Sequence, residues 1–235
     1  MLKKLIRTIS ILKRKYKYKK FSYAFNGVDL NIDYIFKNQQ KGFYLDIGAQ
    51  HPISNNNTYL LYKKGWNGIN IDLDKKNIEL FNIARPQDIN LNFAVSDTEE
   101  KVDLFYYHDA SPINTLNKNI SDFQKAKVSK IKKIDTKKLD NILKEISLPN
   151  QIDYMNIDVE GHEEKVLNGF NINKYKPKVI SIEYLDLKLK KLEFKNNNID
   201  NLLNSNLYNF FINNDYYFVN WLHGDLIFIH KDFRD

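Results

Sequence analysis

From Gly42 onward the chain repeatedly closes a short apolar run with a carboxylate, and no other feature of its 235 residues constrains the fold as strongly. Phe43-Tyr44-Leu45-Asp46-Ile47-Gly48 is followed by Gly68-Ile69-Asn70-Ile71-Asp72, by residues 91–95 with Ser96 and Asp97, and by residues 152–159 running into Glu160. Helical spacing fills residues 58–64, 75–84 and 162–169 between and after them. Strands alternating with helices at this interval predict an α/β fold built on a mostly parallel, doubly wound sheet with helices on both faces. Further strands are expected at 102–107 and 178–185, and an amphipathic helix at 136–146. The tail reads as three aromatic or β-branched strands, 207–212, 216–221 and 226–229, giving an antiparallel finish. Residues 109–133, poor in large apolar side chains, are longer than a plain connection and read as a lid or a partly helical insertion beside the site. No linker divides the chain after residue 41, so the expected organisation is an arm and lead-in over 1–40 and one domain over 41–235.

In such sheets ligands bind beyond the carboxyl ends of the strands, where the strand order reverses. That rule selects the strand-ending acids. A carboxylate at Asp72 can accept hydrogen bonds from the ribose hydroxyls of an adenosine cofactor, and Gly48 lets the backbone pass close beneath it. The loop Gly48-Ala49-Gln50-His51-Pro52 lacks the several glycines that a dinucleotide pyrophosphate needs at a helix N-terminus. S-adenosylmethionine carries no phosphate and tolerates a loop with one glycine.

These words also resemble a known family. Residues 42–52, the stretch from Ser54 to Tyr59, Lys64-Gly-Trp-Asn-Gly-Ile-Asn-Ile-Asp72, and above all Asp153-Tyr-Met-Asn-Ile-Asp-Val-Glu-Gly-His-Glu163 with Val166, Leu167 and Gly169 are similar to the FkbM-type S-adenosylmethionine-dependent methyltransferases. The chain departs from many relatives at Gln50, His51 and Pro52. The resemblance covers about residues 40–186 and implies a Rossmann-like class I methyltransferase with seven strands, the last pair antiparallel, usually acting on a hydroxyl of a sugar or secondary metabolite; the acceptor expected for this chain is a sugar, glycan or glycolipid. It further implies that Asp46 and Gly48 border the methionine end of the cofactor, Asp72 the ribose, and Ser96 or Asp97 the adenine; Ala49, next to Gly48, is expected among the cofactor-binding residues.

An acceptor hydroxyl must lose its proton, and the base candidates are Glu160, His162 and Asp158, in falling order. Strand alternation would place Asn156, Asp158 and Glu160 on one face, and the positive end of the following helix would keep His162 neutral. Two carboxylates and a histidine could also hold an Mg-like divalent ion, which is not the favoured reading.

The formal charge of +7 resides in the first twenty residues, which hold nine cations and no acid; the remainder has 27 cations against 29 acids. A nucleic-acid-binding surface over the body is therefore not expected. Leu2, Leu5, Ile6, Ile9, Leu12 and Tyr16 recur at spacings of three and four among the lysines, which predicts a basic amphipathic helix. Such a helix either rests on anionic lipid, packs on the domain or extends into solvent. The absence of cysteine removes thiol nucleophiles and disulfides, in keeping with a reducing, cytoplasmic compartment.

Overall fold

The computed structural model describes residues 2–17, 20–124, 126–188 and 194–234. Ten strands are named in chain order: β1 (Phe43–Ile47), β2 (Asn67–Asp72), β3 (Ile89–Asn92), β4 (Ala94–Ser96), β5 (Lys101–Tyr106), β6 (Lys130–Lys138), β7 (Tyr154–Ile157), β8 (Val179–Glu183), β9 (Tyr216–Leu222) and β10 (Asp225–His230). Seven form one sheet in the order β3-β2-β1-β7-β8-β10-β9. β10 is antiparallel to both β8 and β9, while the other pairings are parallel. The architecture is the Rossmann-like one expected, with a single strand reversed. Strand order turns back between β1 and β7, which places the carboxyl ends of those two strands at the switch point.

The central strands are buried on both faces and read as continuous apolar runs, as parallel strands do. One face carries Leu45, Ile47, Met155, Ile157, Ile180 and Ile182 beneath the helices Leu139–Lys144 and Glu163–Asn168. The other carries Tyr44, Tyr154, Val179 and Ile227, packed against Leu61, Trp66 and the helix Val28–Ile35 through Val28 and Ile32. Packing on the sheet thus begins well before residue 41. Asp29 fixes this lead-in by accepting from the Ser22 hydroxyl and the Tyr23 and Leu30 amides.

Three elements differ from their expectation. Residues 207–212 are not a strand but lie within the helix Asn206–Asn213, because Ser205 Oγ accepts the Tyr208 amide and caps it. Leu207 and Phe211, four apart, then face the sheet, where Phe211 stacks on Phe228 at 4.2 Å. The run at 91–95 breaks in two, β3 closing the main sheet and β4 joining β6 and β5 in a separate three-stranded sheet. The helix expected over 136–146 starts only at Leu139, since residues 130–138 pair with β4 and β5 as β6. The connection 109–133 is partly helical, with Lys118–Phe123 in the middle.

Candidate functional site

The switch point opens into two adjoining cavities. The first encloses about 580 Å³, its open mouth included, and is walled by Ile71, Phe93, Ala94 and Val95 with Asp72, Asp74 and Asn77 along one side. The second, about 1140 Å³ on the same reckoning, is lined by Asp46, Asn56, Asn57, Asn156, Glu183 and Asp225. Gly48, Gln50, Pro112, Asp158 and Glu160 border both. The insertion after β5 roofs the junction through Pro112, and Thr115 and Asn117 hold it there by donating to the carbonyls of Glu160 and Gly161.

At the junction Gly48 has φ +77°, and a Cβ there would lie 1.7 Å from the Asp158 carbonyl oxygen. The glycine is required because two strand ends meet. Its amide donates to Ile71 O at 2.9 Å and the Ala49 amide to the same oxygen at 3.1 Å, pinning the loop to β2. Gln50 then donates its amide to Asp72 Oδ2 at 2.8 Å, while Asp74 N and the Asn77 side-chain amide donate to Oδ1. A carboxylate offers about four lone-pair positions, so Asp72 has room for roughly one more donor from the cavity. Burial raises its pKa to about 6. Asn77 Oδ1, buried in the same wall, has no partner.

Asp46 is fully buried beneath the second cavity and accepts from Thr58 Oγ1 at 2.7 Å, Asn156 Nδ2 at 2.8 Å and Asn56 Nδ2 at 3.2 Å. Arg85, also fully buried, donates to Pro52 O, Asn56 Oδ1 and Thr58 Oγ1 and so clamps the whole loop from Pro52 to Thr58. Pro52, one of the three departures from the relatives' pattern, is therefore engaged through its carbonyl.

Beyond β7 the alternation expected for Asn156, Asp158 and Glu160 stops, because Glu160 and Gly161 take left-handed backbone with φ of 54° and 83°. The turn rather than the pleat brings the two carboxylates together. Glu183, at the end of β8, joins them, and one oxygen from each of the three lies within 4.8 Å of the others. Burial, then mutual repulsion, raises the pKa of Asp158 and of Glu183, and burial followed by the Glu163 charge raises that of Glu160. Glu163 Oε1 accepts the amides of Val159 and Gly161, so the turn is stabilised from inside the next helix.

His162 lines the first cavity with its Nε2 3.0 Å from Ser96 Oγ. Its pKa is lowered to about 4, and burial is the principal cause rather than the helix terminus invoked from sequence. Of the residues singled out in the sequence, Gly48, Asp72, Asp158, Glu160 and His162 face the first cavity, and Asp46, Gly48, Ala49, Asp158 and Glu160 the second. Ser96 and Asp97 line neither. Ser96 is buried against His162, and Asp97 pairs with Lys165 at 3.0 Å, leaving Phe93, Ala94 and Val95 as the wall there.

Sequence reasoning passed over Glu183, Asp225 and the lead-in residues Phe25 and Asn26, which line the second cavity, and Arg85, which holds the loop beside it through Pro52 O and Asn56 Oδ1. Glu183 carried the same signal as the others, an acid closing an apolar run. Arg85 is one of four arginines in a chain with 32 lysines, and the only one away from the arm and the C-terminal end.

No curated protein and no solved structure matches the chain. The family model described as the methyltransferase FkbM domain matches residues 46–210. That span runs from the acid under the second cavity through both acid-bearing turns to the helix before β9, more than two thirds of the sequence, and the chain belongs to the FkbM methyltransferase family.

Proposed function

We propose that this methyltransferase moves the methyl group of S-adenosylmethionine to a hydroxyl of a sugar, glycan or glycolipid. The observation that carries the reading is the pair of cavities sharing Gly48, Asp158 and Glu160 as a common edge. The first suits a nucleoside: Ile71, Phe93, Ala94 and Val95 give it an apolar wall, Asp72 has an accepting position left, and Asn77 Oδ1 lacks a donor. The second suits a polyhydroxylated acceptor, being lined by the amides of Asn55, Asn56, Asn57 and Asn156 among carboxylates. Its acidic lining opposes a phosphate backbone, which weighs against a nucleic acid.

S-adenosylmethionine supplies an electrophilic methyl carbon on a positive sulfur. With that donor held along Asp72 and Gly48, Glu160 would take the proton of an acceptor hydroxyl in the second cavity as its oxygen accepts the methyl group and the donor is released as the neutral thioether. The raised pKa of Glu160 suits a proton acceptor, while His162, neutral above about pH 4 and engaged with Ser96, lines the nucleoside side. Alignment of oxygen, carbon and sulfur is the protein's larger task.

Calorimetric titration with S-adenosylmethionine and its demethylated product, with NAD as control, tests the cofactor: binding of the first two alone is expected, and binding of NAD alone would overturn it. Glu160→Gln should lower turnover on the methylated acceptor roughly 100- to 10,000-fold with cofactor affinity little changed. Full turnover in that variant would remove Glu160 as the base.

The arm has its own proposed partner, an anionic membrane surface. Residues 1, 18 and 19 lie outside the described residues; Leu2–Lys17 is a helix whose Leu5, Ile6, Ile9 and Leu12 are exposed. Lys3, Lys4, Arg7 and Arg14 are exposed around the rest of it. An uncovered apolar stripe edged by cations matches lipid headgroups over acyl chains. Among the described residues no helix is long and apolar enough to cross a membrane. The full chain should sediment with phosphatidylglycerol vesicles and not with phosphatidylcholine ones, and deletion of residues 1–20 should abolish this. Equal sedimentation of the deleted chain would refute it.

A further inference from the structure

Among the described residues, the three acids Asp158, Glu160 and Glu183 at the edge of the second cavity have no cation paired with them. Among the described residues, no side chain donates to Asp158 or Glu183, and Glu160 receives only the Gln124 amide at 3.3 Å. Asp46, Glu163 and Asp225 add further negative potential at Asp158. Glu183 Oε2 is sealed from solvent and meets no donor, although a buried carboxylate oxygen without one is costly. Ion-paired acids elsewhere in the chain, such as Asp97 with Lys165 and Asp153 with Lys178, show that lysine is available where charge balance is needed. Among the described residues none pairs with this cluster.

Three carboxylate oxygens lying within 4.8 Å of one another match the span of a single hard cation. Opposed ligands on calcium are about 4.6–5.2 Å apart and on magnesium about 4.0–4.2 Å, from their usual bond lengths. We propose that Asp158, Glu160 and Glu183 form a binding site for one divalent cation of the magnesium, manganese or calcium class, at the edge shared by the two cavities. The donor set is all oxygen, which disfavours zinc and copper. His162, turned to Ser96, is not a ligand.

The position gives the ion a use. Three protein oxygens leave coordination positions open toward the second cavity, where an acceptor hydroxyl or a vicinal pair can bind. A hydroxyl on such an ion is more acidic, and the second oxygen of Glu160 remains to receive its proton. The same ion would offset the repulsion among the acids and so stabilise the fold on binding.

The site itself is tested by metal alone. Full-length protein, stripped with chelator, is titrated with Mn²⁺ and followed by electron paramagnetic resonance, with Mg²⁺ and Ca²⁺ as competitors. One Mn²⁺ per chain is expected, displaced by the competitors and accompanied by a rise in melting temperature. Glu183→Gln should weaken it roughly 10- to 100-fold or more, while Glu164→Gln, a neighbouring exposed acid, should not change it. Glu183→Gln removes a charge from the cluster, so its metal-free melting temperature should match or exceed that of the parent, which guards against misfolding as an explanation. Absence of binding up to about 5 mM Mn²⁺, beyond the roughly 0.1–1 mM of weak protein sites, would show that protons balance these acids and would overturn the proposal. Binding unaffected by Glu183→Gln would overturn it equally. Titrating the same stripped protein with S-adenosylmethionine separates this result from the cofactor reading, because nucleoside binding in the first cavity does not need the ion.

Discussion

Replacing Gly48 by alanine should damage the protein in two separable ways. The new Cβ would sit 1.7 Å from the carbonyl oxygen of Asp158 and 3.2 Å from Val159 Cγ1. Neither strand end yields easily, since Gly48 N is bonded to Ile71 O and Asp158 N to Ile47 O, both at 2.9 Å. Positive φ costs an alanine about 1–2 kcal/mol, and forcing atoms into a filled site costs about 1–3 kcal/mol more, so the loss should total about 2–5 kcal/mol. Gly65→Ala supplies the control, because Gly65 has φ +90° with nothing within 4 Å of its added Cβ and should lose only the backbone part. Urea denaturation of the three proteins, compared at equal m-value, reads the collision as the difference between the two variants. Equal losses would refute the claim that Gly48 is demanded by the approach of β1 to β7. Because restoring ordinary contact needs roughly 1.7 Å of separation at the edge shared by both cavities, methyl transfer should fall about 100-fold or more even where the variant is folded.

Three further outcomes follow from the geometry. Asp72→Asn should weaken S-adenosylmethionine binding roughly 10- to 150-fold, the worth of a hydrogen bond to a charged group. Since the carboxylate is the accepting form and burial raises Asp72 to about 6, affinity of the parent should hold at neutral pH and decline as pH falls through about 6, a decline the Asn variant should lack in calorimetry; an identical profile in both would remove Asp72 from the site. Phe211→Ala should cost about 3–5 kcal/mol by urea denaturation, given full burial and stacking on Phe228, and Phe210→Ala clearly less; the reverse order would contradict the helix Asn206–Asn213. Arg85→Met should leave Pro52 O and Thr58 Oγ1 without their donor, while Asn56 Oδ1 keeps the Thr58 and Tyr59 amides, and cost about 2 kcal/mol or more, with faster amide exchange across residues 50–58; unchanged exchange would show that the loop is held by other means.

The parts of the fold that could be read from sequence are those whose neighbours are dictated by local pattern. β1, β2, β7 and β8 are buried on both faces, so their apolar runs are unbroken and their terminal acids stand out. The helix Asn206–Asn213 was hidden because Leu-Tyr-Asn-Phe-Phe-Ile satisfies a strand pattern as well as a helical one, and only Ser205 as cap decides between them. The break after β3 depends on which sheet β4 finds as partner, a tertiary fact carried by Thr136, Lys137 and Lys138 far along the chain. In the site, Asp46, Asp72, Asp158 and Glu160 were legible as acids closing apolar runs, and Glu183 carried the same signal, whereas Asp225 and Asn26 reach the cavity only through the strand order β7-β8-β10 and the packing of the lead-in. Ser96 and Asp97 illustrate the converse. They close a strand as the pattern requires, yet the chain turns there and presents Phe93 to Val95 to the cavity instead.

Asn26 Nδ2 and Asp225 Oδ2 meet at 3.5 Å, and Asn31 Oδ1 accepts Asn220 Nδ2 at 3.2 Å, across separations of 199 and 189 residues. Both pairs join the lead-in to the β9–β10 hairpin, which closes one end of the second cavity. During synthesis the lead-in therefore waits for almost the whole domain to leave the ribosome before its wall can form. Contacts so distant in sequence carry a large loop-closure cost and form late. The nascent chain can assemble β1, β2 and β7, with the first cavity between them, well before an acceptor has anywhere to bind, so capacity for the nucleoside should precede capacity for methyl transfer as the protein folds.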